Sequence, residues 1–333
     1  MKAGPFLVLA SILVGSISNA SEFGQIIGGR TVSDSSQHIE MVSLQWQTVI
    51  NGNTEYFHIC GGTVIAPDWV LTAAHCVEEI NPLTPDRSFS VVHGDNDISL
   101  NTTATRYPIG LIVSHEGYTG TDGGFLNDIA LLNVPSISSD RYSLISNQGF
   151  TESIPNNTIV TATGWGNTQR AVNSTTPYLQ YADLSYLSPY DCSGYLPVYS
   201  NFHVCAGDSS SISSTCQGDS GGPLWIYHDN SKVQIGITSY GTQFCGENGQ
   251  PAAFTNLGLY GGWIKNVIES YGFSGPQIYS GPLYTTTISP SPDVNVVDDS
   301  GGVTDLWFLI TIALLLLGKL YVASRNIVFH DNE

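Results

Sequence analysis

Three short segments carry residues that could do chemistry together. They are Thr72-Ala73-Ala74-His75-Cys76, Asn127-Asp128-Ile129-Ala130-Leu131 and Cys216-Gln217-Gly218-Asp219-Ser220-Gly221-Gly222-Pro223. A serine hydroxyl is a poor nucleophile near neutral pH. It needs a base to take its proton and a third group to orient that base. In chain order the sequence offers His75 as base, Asp128 as orienting carboxylate and Ser220 as nucleophile. Alone, each has an ordinary explanation: a core histidine, a turn aspartate, a serine in a glycine-rich turn. The three contexts in His…Asp…Ser order make a specific signal. The other histidines, His38, His58, His93, His115, His203 and His228, carry no comparable one.

Such residues need a scaffold, and the pattern around them is strand-like. Val42, Leu44 and Trp46 alternate with polar residues within 41–65, the period of a half-buried strand. Residues 70–72, 109–113, 129–133, 159–162 and 233–237 repeat the theme, punctuated by Gly, Pro, Asn and Asp. Many short strands without alternating long helices predict an all-β architecture. One helix is expected, over 262–271, where Trp263, Val267 and Ser270 fall at helical spacing.

From residue 26 to 272 the chain resembles the trypsin/chymotrypsin-type serine endopeptidases. The motifs above carry the resemblance, with Ile26-Ile27-Gly28-Gly29, Cys60-Gly61-Gly62-Thr63-Val64-Ile65, Gly164-Trp165-Gly166 and Ser239-Tyr240-Gly241 in the expected order. The resemblance implies two six-stranded antiparallel β-barrels with the catalytic cleft between them, and a C-terminal helix on the second barrel. It maps a triad onto His75, Asp128 and Ser220, and an oxyanion hole onto the N–H groups of Gly218 and Ser220. It implies three disulfides, Cys60–Cys76, Cys192–Cys205 and Cys216–Cys245, where six cysteines alone allow 15 pairings. It also implies protein or peptide substrates, protein protease inhibitors as partners, and an activating protease.

The same alignment puts Ser214 at the base of the specificity pocket and Gly241 and Ala252 on its walls. A neutral base gives no charge to pair with Lys or Arg. Gly241 leaves the entrance open, and the Ala252 methyl narrows the space. Cleavage after Leu, Met, Phe or Tyr is expected, with Trp disfavoured. Ser239, Tyr240 and Gly241 would form the backbone rail for an extended substrate. In the family a freed N-terminal Ile pairs with the Asp beside the nucleophile, here Ile26 and Asp219. The chain departs from the pattern at Gln25, where Arg or Lys is usual. That departure supports a different class of reading, an inert protease-like adhesion or decoy protein.

Composition sets the surroundings. The 333 residues are 41% hydrophobic and carry a net charge of −18, which speaks against nucleic-acid binding. Lys2, an apolar run over 6–14 and Ser18-Asn19-Ala20 read as a signal peptide, residues 1–20, with 21–25 as a short propeptide. An oxidising export route suits the cysteines and the sequons at Asn101, Asn156 and Asn173. Asp95 and Asp97 make no complete calcium loop, since no acidic residue follows through Thr105; no metal or cofactor is expected. Residues 273–304 read as a Ser/Thr/Pro-rich stalk, 305–323 as a transmembrane helix and 324–333 as a cytoplasmic tail. The expectation is a type I cell-surface protein, the alternatives a lipid anchor or a shed, secreted form.

Overall fold

The computed structural model describes residues 26–282 except 35, 79, 81–87, 99–104, 169–175, 195, 197–200 and 208–212. The expected signal peptide, propeptide, membrane segment and tail lie outside these residues, as do the sequons at Asn101 and Asn173. Strands dominate, as alternation predicts. The first eight are β1 (Arg30–Thr31), β2 (Met41–Ile50), β3 (Asn53–Ala66), β4 (Trp69–Thr72), β5 (Ser88–His93), β6 (Arg106–Pro108), β7 (Leu111–Ser114) and β8 (Ala130–Asn133). The rest are β9 (Leu144–Ile145), β10 (Ile159–Gly164), β11 (Gln180–Leu187), β12 (His203–Gly207), β13 (Pro223–His228), β14 (Ser231–Tyr240) and β15 (Ala252–Asn256).

The N-terminal sheet runs β6-β5-β2-β3-β4-β8-β7. Its two end strands, β6 and β7, are separated in sequence only by Ile109 and Gly110, so the sheet must curl until its ends meet. Val42, Leu44, Val64, Leu71 and Leu131 fill its interior. The β2–β3 hairpin turns at Asn51-Gly52, with φ of 53° and 83°, the positive angles that a tight two-residue hairpin turn demands. The C-terminal sheet closes fully in the order β11-β10-β13-β14-β15-β12, with β12 returning to β11. Its core holds Val160, Leu184, Leu224, Ile226, Val233 and Phe254. The expected barrels are there, one closed by strand pairing and one curled.

An ion cluster centred on the buried Glu40 ties the two sheets together. Glu40, at the entry to β2 and 1% exposed, receives Lys232 Nζ of β14 at 2.8 Å and Arg141 Nε at 3.1 Å. Burial works to raise the Glu40 carboxyl, but Lys232 and Arg141 overcome it and hold the carboxyl below its ordinary value.

The described residues form four α-helices, α1 (His75–Glu78), α2 (Gln148–Ser153), α3 (Pro189–Cys192) and the C-terminal α4 (Gly261–Ser270), and the last corrects one expectation. Its buried face is Ile264 and Ile268, an i, i+4 pair that joins the cluster of Trp69, Val70 and Leu131 in the N-terminal sheet. Trp69 also meets the rings of Tyr271 and Phe273 at 5.7 and 5.8 Å. The helix therefore packs on the first barrel, where Trp69 and its neighbours supply the apolar surface that Ile264 and Ile268 cover.

The folded chain continues past 272. Ile278 makes a parallel bridge with Ile145 of β9, Tyr279 N donates to Ile145 O at 2.8 Å, and Asn147 Nδ2 donates to Tyr279 O at 2.8 Å. The cell-surface expectation is corrected. Among the described residues no helix is long and apolar enough to cross a membrane, and 305–323 are not among them.

Candidate active site

His75 opens a one-turn helix, α1 (His75–Glu78), directly after β4. Asp128 lies at the entry to β8, which pairs with β4, so sheet register brings the two together: Thr72 faces Ala130. Asp128 is fully buried and accepts three hydrogen bonds. Oδ1 receives His75 N at 2.9 Å; Oδ2 receives His75 Nδ1 at 2.8 Å and Ser239 Oγ at 2.5 Å. Burial alone would raise this carboxyl. The His75 hydrogen bond and charge, with Ser239, outweigh it and keep the carboxyl below its ordinary value. An ionised Asp128 requires the proton of the imidazole on Nδ1, which leaves Nε2 as the basic nitrogen.

Ser239 reaches Asp128 because β14 bulges at this point. Thr238 pairs with Phe254 and Tyr240 with Ala253, so Ser239 is the extra residue, and bulges re-aim side chains beside active sites. On the next strand Thr255 Oγ1 donates to the Asp128 carbonyl at 2.8 Å.

Ser220 sits in the tight turn before β13. Gly61 N donates to Ser220 O at 2.7 Å, Gly221 N to Thr238 O at 2.8 Å, and Gly222 N to Asp219 O at 2.9 Å. Gly218 has φ +98°, and a Cβ there would lie 2.9 Å from Gly166 Cα, so only glycine fits. Among the described residues neither Gly218 N nor Ser220 N meets a protein acceptor. Ser220 and His75 are not hydrogen-bonded to each other, a separation common in unliganded sites.

A cavity of about 240 Å³ opens beside Ser220. Ser214, Gln217, Ser239, Tyr240 and Gly241 line it, and so do both halves of the Cys216–Cys245 disulfide. Ala252 is buried behind Gly241: a Cβ at 241 would stand 3.6 Å from its methyl. The other disulfides are Cys60–Cys76 and Cys192–Cys205, and no described cysteine is free. The grouping of Cys60, Cys76 and His75 is thus a disulfide beside a histidine, without the thiolates a metal would need.

Asp219 points away from the cleft into the protein. Gly166 N donates to its Oδ1 and Cys216 N to its Oδ2, both at 2.8 Å. A side chain at Gly164 or Gly166 would collide with this carboxylate, which explains both glycines of Gly164-Trp165-Gly166. Burial pushes the Asp219 carboxyl up to about 7 despite the two donors, and no described basic side chain pairs with it. Ile26 is fully buried, and Ile27 O receives Ser214 N at 3.1 Å.

The structure adds residues that sequence reasoning passed over. His58 donates from Nε2 to Gly218 O at 2.8 Å and takes Ser43 Oγ–H on Nδ1 at 2.8 Å. Burial lowers its pKa to about 4, so it is neutral near pH 7. Phe125 lies edge-on to His75 at 6.0 Å and stacks on Tyr240 at 5.2 Å. His58 carried a faint signal in its place two residues before Cys60; Phe125 carried none. Asn156 is exposed, its amide bonded to Asp191 and Ser188.

The trypsin family model matches residues 26–264. The chain belongs to the trypsin family. Chymotrypsin-like elastase family member 1 of Homo sapiens is 33% identical over 256 residues, covering 74% of this chain and 93% of that protein. The Bos taurus protein of the same name is 32% identical, covering 74% and 90%. Among solved structures, mouse neuropsin, described as a serine protease expressed in the limbic system of the brain, aligns with a TM-score of 0.58 and 26% identity. That alignment covers 73% of this chain and 99% of neuropsin. This trypsin-family chain is thus similar to serine proteases, elastases among them.

Proposed function

We propose that the protein is a serine endopeptidase that cuts peptide bonds through an acyl-enzyme. The observation that carries the reading is the His75–Asp128 hydrogen bond beside a cavity lined by Ser220. His75 Nε2 takes the Ser220 proton as Oγ attacks the scissile carbonyl, then returns it to the leaving amine. Asp128 holds the imidazole tautomer and stabilises the imidazolium. The N–H groups of Gly218 and Ser220, without acceptors among the described residues, hold the tetrahedral oxyanion; losing one such donor costs about 10²–10³ in turnover.

Preference for Leu, Met, Phe or Tyr before the cut is part of the proposal. Ser214 gives the pocket a neutral base, and Gly241 gives its wall no side chain. The test is to profile a chain beginning at Ile26 on a mixed peptide library. Cleavage confined to Lys or Arg sites would overturn the specificity; no cleavage by the folded protein would favour the inert adhesion or decoy reading. Gly241→Val is expected to reduce kcat/KM on a Phe substrate by about 10–200-fold relative to an Ala substrate. The added carbons start 3.6 Å from Ala252, so the backbone can stay in place while the entrance fills. Steady-state kinetics on the two substrates measures the shift. The activating protease and protein inhibitors remain part of the same proposal.

A further inference from the structure

The loop from Phe125 to Asp128 carries two residues in the left-handed region, Phe125 at φ +54° and Asn127 at φ +55°. An asparagine is at home there. A phenylalanine is an outlier there and persists only where its surroundings enforce it.

Its own loop holds the Phe125 N–H on Gly120 O at 2.9 Å, and the other barrel holds its carbonyl. His203 of β12, 1% exposed, places Nε2 3.3 Å from Phe125 O. A carbonyl can only accept, so Nε2 carries the hydrogen and donates. The same imidazole lies edge-on to the Tyr240 ring at 5.2 Å, interplanar angle 83°. Tyr240 in turn stacks on Phe125 at 20°. His203 therefore touches both halves of the aromatic wall, one through its backbone and one through its ring.

Its register makes the arrangement more telling. His203 pairs directly with Thr255 of β15. Thr255 holds the carbonyl of Asp128, and His203 holds that of Phe125. Two adjacent side chains of the C-terminal barrel thus brace both ends of a loop supplied by the N-terminal barrel. The Thr255 end serves the carboxylate. The His203 end serves the wall.

We infer that His203 is a positioning residue that fixes Phe125 and Tyr240 as the wall met by the substrate residue preceding the scissile one. The inference rests on the catalytic reading above. It places His203 outside the chemical step, because Asp128 keeps its own brace when His203 is lost.

The test compares two substrates on the chain beginning at Ile26. Acetyl-phenylalanine ethyl ester has no residue before the scissile one; succinyl-Ala-Ala-Pro-Phe-p-nitroanilide has three. His203→Leu is expected to hydrolyse the ester within about twofold of wild type. On the tetrapeptide it is expected to lose about tenfold in kcat/KM, mostly through KM, the worth of one hydrogen bond. His203→Gln, which keeps a donor, is expected to recover most of that loss. Equal losses on both substrates, no loss on either, or a Gln variant as poor as Leu would overturn the inference. Should His203→Leu not fold, His203→Asn, whose shorter amide does not reach Phe125 O, takes its place: a tetrapeptide loss with the ester unchanged supports the inference, and equal or absent losses overturn it. A wild type that cleaves neither substrate refutes the catalytic reading itself, an outcome visible before any variant is made.

Discussion

Ser220→Ala is expected to lower turnover by on the order of 10⁶-fold while leaving the fold unchanged. The substitution removes only Oγ. The bonds that shape the turn run through backbone: Gly61 N to Ser220 O, Gly221 N to Thr238 O and Gly222 N to Asp219 O. None depends on the hydroxyl. Removing it leaves His75 with no nucleophile to activate, while the pocket, the Gly218 N–H and the backbone N–H at position 220 persist. Residual rate over water is then confined to what binding and oxyanion stabilisation supply, about 10³–10⁴-fold. Single-turnover hydrolysis of an activated ester, beside thermal unfolding of both proteins, separates lost chemistry from lost structure. An alanine variant within tenfold of wild type would remove Ser220 from the mechanism.

The second large effect is expected at the N-terminus. A chain beginning at Ile26 should exceed one carrying a single extra residue by about 10²–10³-fold in kcat/KM. The buried Asp219 carboxylate has two N–H donors and no described cationic side chain, so an ammonium on Ile26 would be its counter-charge. Leaving such a charge unpaired costs about 3–5 kcal/mol, at about 1.4 kcal/mol per tenfold. The pH dependence follows from the same group. In the extended chain the folded carboxyl titrates at about 7 against an ordinary 3.8. Between those values the folded state holds a proton that the unfolded state has released. Stability of the extended chain therefore falls as pH rises from 4 to 7, by about 4 kcal/mol at the upper end. Pairing with an ammonium reverses this, since an ionised Asp219 is then favoured and stability is lost on acidification instead. Urea unfolding of both forms across pH 4–8 measures the two slopes. Identical slopes and identical activities would exclude Ile26 as the partner of Asp219.

The strands that position the candidate site were legible where residue types alternated or an apolar run was long enough, although both faces of β2 are buried over its first five residues. Alternation at Val42, Leu44 and Trp46 marked β2, and apolar runs marked β4, β8, β10 and β14. β12 was not visible: His203-Val204-Cys205-Ala206-Gly207 has a single β-branched residue, no alternation of types and no run of large aliphatic side chains. The packing surface of α4 was misassigned for a related reason. A helix reveals its buried face in its own sequence, here Ile264 and Ile268, but the identity of its neighbour is decided by Trp69, nearly two hundred residues earlier. The reacting groups were legible because motif order and local context constrain them. Their braces were not, since Ser239 depends on a bulge and His203 and Thr255 on cross-strand register.

The strap formed by Ile278 and Tyr279 decides where the last described residues lie. They run along the side of β9, on the segment joining the two barrels, rather than staying at the end of α4. A recombinant chain ended at 272 would lose the strap, uncover Phe150 and take from Asn147 a partner at the start of the helix 148–153.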